Sequence, residues 1–267
     1  MPKSTLEEDD NHALLAVFRG DSGVGKSVAA LSFPEPYLLD LDRKMPSIAR
    51  KHFPEKDIKY DTFENVFELD EVVQRLKVDC PYKTIIVDSF TGLGKLCFNT
   101  MSTIKSEEGA KILKKFSTKA GEKVGIDYYF GENHYIGHFI DDMKTIHIRY
   151  KAHVIITAHN IQYEPINYSG KEPKEKVTGR PILAEGRKPA AILPTEVDNV
   201  LLFGWEPGQH IDDPVRRMCY TTPVADIIAK SSFRFPPRID FTDCSFYDKL
   251  FSYEAMEAMA IANESGF

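Results

Sequence analysis

Cysteine is scarce in this chain. Cys80, Cys97, Cys219 and Cys244 are the four present, and no two stand at a spacing that marks a disulfide framework or a zinc knuckle. No apolar run approaches the ~18 residues of a membrane-crossing helix, and no signal-peptide pattern opens the sequence. The expectation is a cytoplasmic protein with no membrane partner. Basic charge is not in excess either: 34 Lys+Arg against 40 Asp+Glu give a formal net charge of -6. A field of that sign repels a polyanion, so any nucleic-acid contact must come from a local basic surface. Internal repeats are absent, as is the N-K-x-D motif by which GTP switches recognise guanine.

What is present is an ordinary soluble composition. Its 267 residues are 42% hydrophobic and 28% charged, enough for one α/β domain with a large core. Short apolar runs at 13–18, 37–42, 83–90 and 152–160 read as strands, and "VDNVLLFGW" at 197–205 and "RRMCYTT" at 216–222 as later ones. Residues 26–32, 61–79, 132–150 and 252–264 read as helices. Alternation of this kind predicts a mostly parallel sheet covered on both faces. A lysine-rich stretch at 102–123 and an aperiodic segment at 161–190 read as exposed insertions near 100–150 and 161–190. Residues 1–12 read as a flexible arm, 13–250 as the main domain and 251–267 as a short helical tail.

The strongest motif comes directly after the first strand. Gly20, Asp21, Ser22, Gly23, Val24, Gly25, Lys26 and Ser27 fit G-x-x-x-x-G-K-[ST] at every fixed position. Glycines let successive N–H groups turn toward one anion, and the N-terminus of the next helix, running on through Val28, adds its dipole. In such a loop Lys26 reaches the β- and γ-phosphates and Ser27 ligates Mg²⁺. Asp88 ends the apolar strand "TIIVD", where a carboxylate holds the same magnesium ion. Asp40 and Asp42 close "YLLDLD", and period-2 spacing sets both on one face of that strand, at the ligand edge of an open sheet. One of them is a candidate for activating the attacking water, the alternative being a loop cap. His159 and Asn160 end "VIITAHN" at the same edge, where a polar residue senses the γ-phosphate or is simply satisfied by its neighbours.

Taken in order, "GDSGVGKS", "YLLDLD", "KTIIVDSF", "VIITAHN" and "IIAKSSFRFPP" resemble RecA-like P-loop ATPases over roughly residues 13–240. They resemble most the phage-encoded AAA-type nucleotide-binding proteins of single-strand annealing and recombination. The resemblance implies a mostly parallel α/β fold and ATP with Mg²⁺ as cofactors. It also implies an ATPase coupled to single-stranded DNA, a homo-oligomeric ring or filament, a phage single-strand binding protein as partner, and the host cytoplasm. Carried over residue by residue, it gives catalytic roles to Lys26, Asp42, Asp88 and His159. Asp42 stands where the family usually has glutamate. Lys230 and Arg234 become cations that reach the γ-phosphate of a neighbouring subunit. It also implies DNA-facing loops after the third and fourth strands. The first holds Lys105, Lys111, Lys114, Lys115, Lys119 and Lys123, and the second Tyr163, Tyr168, Lys171, Lys174, Lys176, Arg180, Arg187 and Lys188. Lysines there would grip the backbone and tyrosines would stack on bases. Two other classes share the motif: a nucleoside or small-molecule kinase, with 171–190 as its lid, and a nucleotide-stabilised structural or DNA-packaging subunit.

Overall fold

The computed structural model describes residues 13–103, 128–160, 187–207, 215–225 and 227–252. In chain order its elements are β1 (Leu15–Gly20), α1 (Lys26–Leu31), β2 (Pro36–Asp40), α2 (Met45–His52), β3 (Lys59–Asp61), α3 (Val66–Val78), β4 (Thr84–Asp88), α4 (Phe90–Thr103), α5 (Tyr128–Tyr150), β5 (His153–His159), α6 (Arg187–Glu196), β6 (Asn199–Glu206), β7 (Arg216–Tyr220), β8 (Arg238–Asp240) and α7 (Phe246–Phe251). The strands form one sheet in the order β3-β2-β4-β5-β1-β6-β7-β8. Every pair from β3 to β6 is parallel, and β7 and β8 are added antiparallel. The result is the expected α/β fold, a mostly parallel sheet flanked by helices, consistent with a RecA-like P-loop NTPase.

The central strands read as unbroken apolar runs because both of their faces are covered. Alternate residues serve opposite cores. Leu15 and Val17 of β1, Ile85 and Val87 of β4, and Val154 and Ile156 of β5 face a core completed by α3, α4, α5 and α6. Ala16 and Phe18, Ile86 and Ile155 face the other core, under α1, α2 and α7. That second core is rich in phenylalanine: Phe18, Phe33, Phe203, Phe241 and Phe246 are all buried there. Its rings meet edge-on or tilted, as for Phe203 and Phe241 at 5.3 Å.

Several boundaries differ from the sequence reading. The helix expected over 61–79 starts only at Val66, because Lys59–Asp61 pairs with β2 as a strand and Asn65 caps the N-terminus of α3. The Asn65 side chain accepts from the amides of Phe67 and Glu68 at 3.0 and 3.1 Å, and Glu68 reaches back to the amide of Glu64 at 2.8 Å. The strand expected over 37–42 ends at Asp40. Helices α2, α4 and α7 and the short strands β3 and β8 were not anticipated. The loop expected over 161–190 gives way to α6 at Arg187, whose Pro189 falls in the first turn, where no amide is needed. Residues 1–12, residues 104–127, which include the lysines of the loop expected at 105–123, and the tail beyond Ser252 lie outside the described residues. Among the described residues no helix is long and apolar enough to cross a membrane.

Candidate functional site

Parallel pairing carries the ends of β1, β2, β4 and β5 to one edge of the sheet, and the conspicuous polar residues gather there. Gly25 is the N-cap of α1 with φ 99, a conformation side chains resist, and a Cβ on it would stand 3.1 Å from Phe241 and 3.2 Å from the stem of Arg217. A side chain there would press on both. The cleft beside it measures about 320 Å³ and is lined by Ser22, Gly23, Gly25, Lys26, Ser27, Val28, Asp42, Lys44, Ile48, His52, Asp88, His159 and Arg217. Val24 points away into the aromatic core.

Lys26 is 5% exposed, and its ammonium donates to the carbonyls of Gly20 at 3.0 Å and Asp21 at 2.8 Å. Burial lowers its pKa to about 8, against the pull of Asp88, Asp21 and Asp42. His159 Nδ1 is 3.4 Å from the same ammonium. Burial first, and then the Lys26 charge, depress the His159 pKa and favour the neutral ring.

Asp88 is buried at the end of β4 and accepts hydrogen bonds from Thr157 of β5 and, at 3.3 and 3.4 Å, from Ser27. Burial pushes its pKa up to about 6, with Asp42 and Asp40 adding to the rise and the Thr157 and Ser27 bonds opposing it. A divalent cation would relieve that penalty. The Ser27 hydroxyl faces both Asp88 oxygens at separations long for O–H···O bonds, a donor set that suits a hard ion shared between them. Among the described residues no group of three or more His, Cys, Asp and Glu could hold a metal by itself. Magnesium here would therefore keep phosphate and water in its remaining positions, as it commonly does.

The two aspartates at the end of β2 part company, which corrects their expected place on one face of the strand. Asp40 is fully buried, and its carboxylate accepts from the amides of Lys44 at 3.3 Å and Met45 at 3.2 Å, tying down the start of α2. Asp42 lies beyond the strand, in a bend where Arg43 has φ 55. It accepts from the Ser89 hydroxyl at 3.0 Å and lines the cleft. The bend is packed against α4 so tightly that a Cβ on Gly92 would come within 2.7 Å of the Asp42 carboxylate.

Other expected residues lie away from the cleft. Asn160 is buried, and its side-chain oxygen accepts both Nε and Nη2 of buried Arg19, at 3.1 and 3.0 Å. Lys230 bridges Val200 through its backbone at 2.9 and 2.7 Å, level with Val17 of β1, three residues and so about 10 Å of strand below Gly20. Ser231 Oγ and the Ser232 amide both donate to Asn199, while Phe233 and Phe235 stack at 5.1 Å and pack onto the aromatic core. Lys230 and Arg234 are left on the outside of this anchored segment. Of the second basic insertion, Tyr163, Tyr168, Lys171, Lys174, Lys176 and Arg180 lie outside the described residues. The backbone of Arg187 and Lys188 opens α6.

A family model described as "AAA domain" matches residues 13–233, every strand from β1 to β7. The chain belongs to the AAA domain family. As an AAA domain it binds nucleotide, and ATP hydrolysis is the general activity of such domains. No sequence among the curated proteins matches it. Among solved structures the AAA domain is similar to "Crystal structure of the RadB recombinase", at a TM-score of 0.42 and 13% sequence identity, over 85% of this chain and 86% of that one. The finer reading of this AAA domain rests on its own cleft. Sequence reasoning passed over Ser89, Thr157, Lys44, His52 and Arg217 there. Ser89 directly succeeds Asp88 in "VDSF", and Thr157 stands two residues before His159, so both were within reach of the motifs. Arg217 carries no local signal at all.

Proposed function

We propose that this protein is a Mg²⁺-dependent ATPase that acts on single-stranded DNA in recombination, annealing or repair, as a homo-oligomer. The carrying observation is one cleft that unites Lys26 and Ser27 of the loop with Asp88, Asp42 and His159 from three other strand ends. Bound Mg-ATP supplies an anhydride whose terminal phosphoryl is open to attack by water. Ser27 and Asp88 hold the metal, and Lys26 neutralises charge that develops on the phosphoryl oxygens. Ser89 holds Asp42 in position to accept a proton from the attacking water. His159, whose pKa is lowered by burial and by Lys26 beside it, is the residue assigned to register the terminal phosphate. Lys230 and Arg234 sit well below their own loop, on an exposed and firmly anchored segment, which suits cations meant for a neighbouring subunit. In sequence, the lysines of 105–123 and the lysines, arginines and tyrosines of 161–190 are the candidates for a DNA contact that the net charge of -6 does not favour.

The test is phosphate release from ATP, with and without single-stranded DNA, while oligomer size is monitored by light scattering. Turnover is expected to require Mg²⁺ and to rise about tenfold with DNA as larger assemblies form, the scale of a modest conformational coupling. A rate indifferent to DNA in the assembled protein would refute the DNA coupling. Phosphate transferred to a small acceptor in place of water would identify a kinase.

A further inference from the structure

Arg217 stands in the phosphate cleft with its charge unanswered. On β7 it alternates with Arg216, whose guanidinium pairs with Glu206 at 3.3 Å together with Arg238. Arg217 faces the other way. Its stem packs where a Cβ on Gly25 would lie, 3.2 Å off, and its Nη1 is 3.6 Å from the Cys244 thiol. Its guanidinium lies 5.9 Å from the centre of the Trp205 ring, its cross-strand partner. Among the described residues it forms no ion pair with a carboxylate. A thiol and an indole face hold a guanidinium in place without neutralising it, and the positive field also reaches His52 across the cleft. Arg217 lines the same cleft as Gly25, Lys26 and Ser27 of the loop.

Resting on the reading of this cleft as a nucleotide site, we propose that Arg217 is a phosphate-binding cation supplied in cis by β7, with Trp205 as its holder. The guanidinium fork fits phosphate oxygens in a bidentate way. It acts within one subunit, unlike the role suggested for Lys230.

The chain contains a single tryptophan, so Trp205 emission reports directly on its neighbour. Titration of the wild type with Mg-ATP, and separately with inorganic tripolyphosphate, is expected to change that emission with the midpoint found by calorimetry. Arg217→Ala is expected to abolish the change and to weaken both ligands about tenfold by calorimetry, the scale of one charge-assisted pair. Unchanged affinity in the variant would overturn the role of Arg217 and leave the nucleotide site standing. A loss confined to ATP would move the contact to the nucleoside and overturn the phosphate assignment. If the wild type binds neither ligand, the nucleotide reading falls and the inference with it. Should Arg217→Ala fail to fold, Arg217→Gln, which keeps most of the stem without the charge, carries the same two outcomes.

Discussion

The cleft around Lys26 and the segment 230–235 both present cations, but they hold them in opposite ways. In the cleft Lys26 is sunk against the carbonyls of Gly20 and Asp21, beside His159 and within the field of Asp88 and Asp42, and burial lowers the pKa of Lys26 and of His159 and raises that of Asp88. At 230–235 the backbone is pinned by Val200, Asn199 and the aromatic core, while Lys230 and Arg234 stand in solvent with no resident anion among the described residues. A charge sunk among partners is committed to groups of its own chain. A charge on a rigid mount without partners has energy left to offer something outside it.

Removing charge from each region should separate the two. Lys26→Ala is expected to have the largest effect, weakening Mg-ATP more than about 100-fold by calorimetry, because a desolvated cation facing phosphate is lost. Near-normal affinity would place the nucleotide elsewhere. Lys230→Ala is expected to leave ATP affinity within about twofold, yet to lower turnover of the assembled protein by roughly 10- to 100-fold, as removal of a trans cation does. An unchanged rate in the assembly would end the contrast, since both regions would then act only within their own subunit.

The smallest effect concerns stability. Asp88 has its pKa raised to about 6 from 3.8. The folded state therefore holds this proton more tightly than the unfolded chain does, and stability is lost as pH rises from the ordinary carboxylate range through about 6. Asp88→Asn removes that penalty. In chelator at pH 8 the variant is expected to melt higher by roughly 1–3 kcal/mol of stability, with no gain near pH 4. The same variant should lose Mg²⁺-dependent binding, and wild-type Mg-ATP affinity should fall as pH drops below about 6. A lower melting temperature in chelator at pH 8 would mean that the Thr157 and Ser27 bonds outweigh burial.

The parts of the site that sequence revealed are those carried by contiguous pattern. The loop is one unbroken motif, and Asp88 announces itself by ending a fully apolar strand. Asp40 and Asp42 could not be told apart, because their spacing implies one face only while the strand continues, and it stops at Asp40 to tie down α2. Arg217 was invisible for a different reason. Its relevance depends on β7 returning antiparallel beside β6, which no local pattern around "RRMCY" encodes. Helix α4 was hidden by its own opening, "FTGLG", whose two glycines look like loop.

One of those glycines limits how the chain can vary. Within a helix, alanine in place of glycine commonly stabilises by about 1 kcal/mol, which makes the exchange a favourite of protein engineers. At Gly92 that route is closed, since the added methyl would lean on the Asp42 carboxylate 2.7 Å away and on Leu41 behind it. A library randomised at this position would return glycine, and its failures would look like lesions in chemistry although residue 92 has no functional group to lose. The helix is thus kept weaker than it need be so that its neighbour can stay where it is.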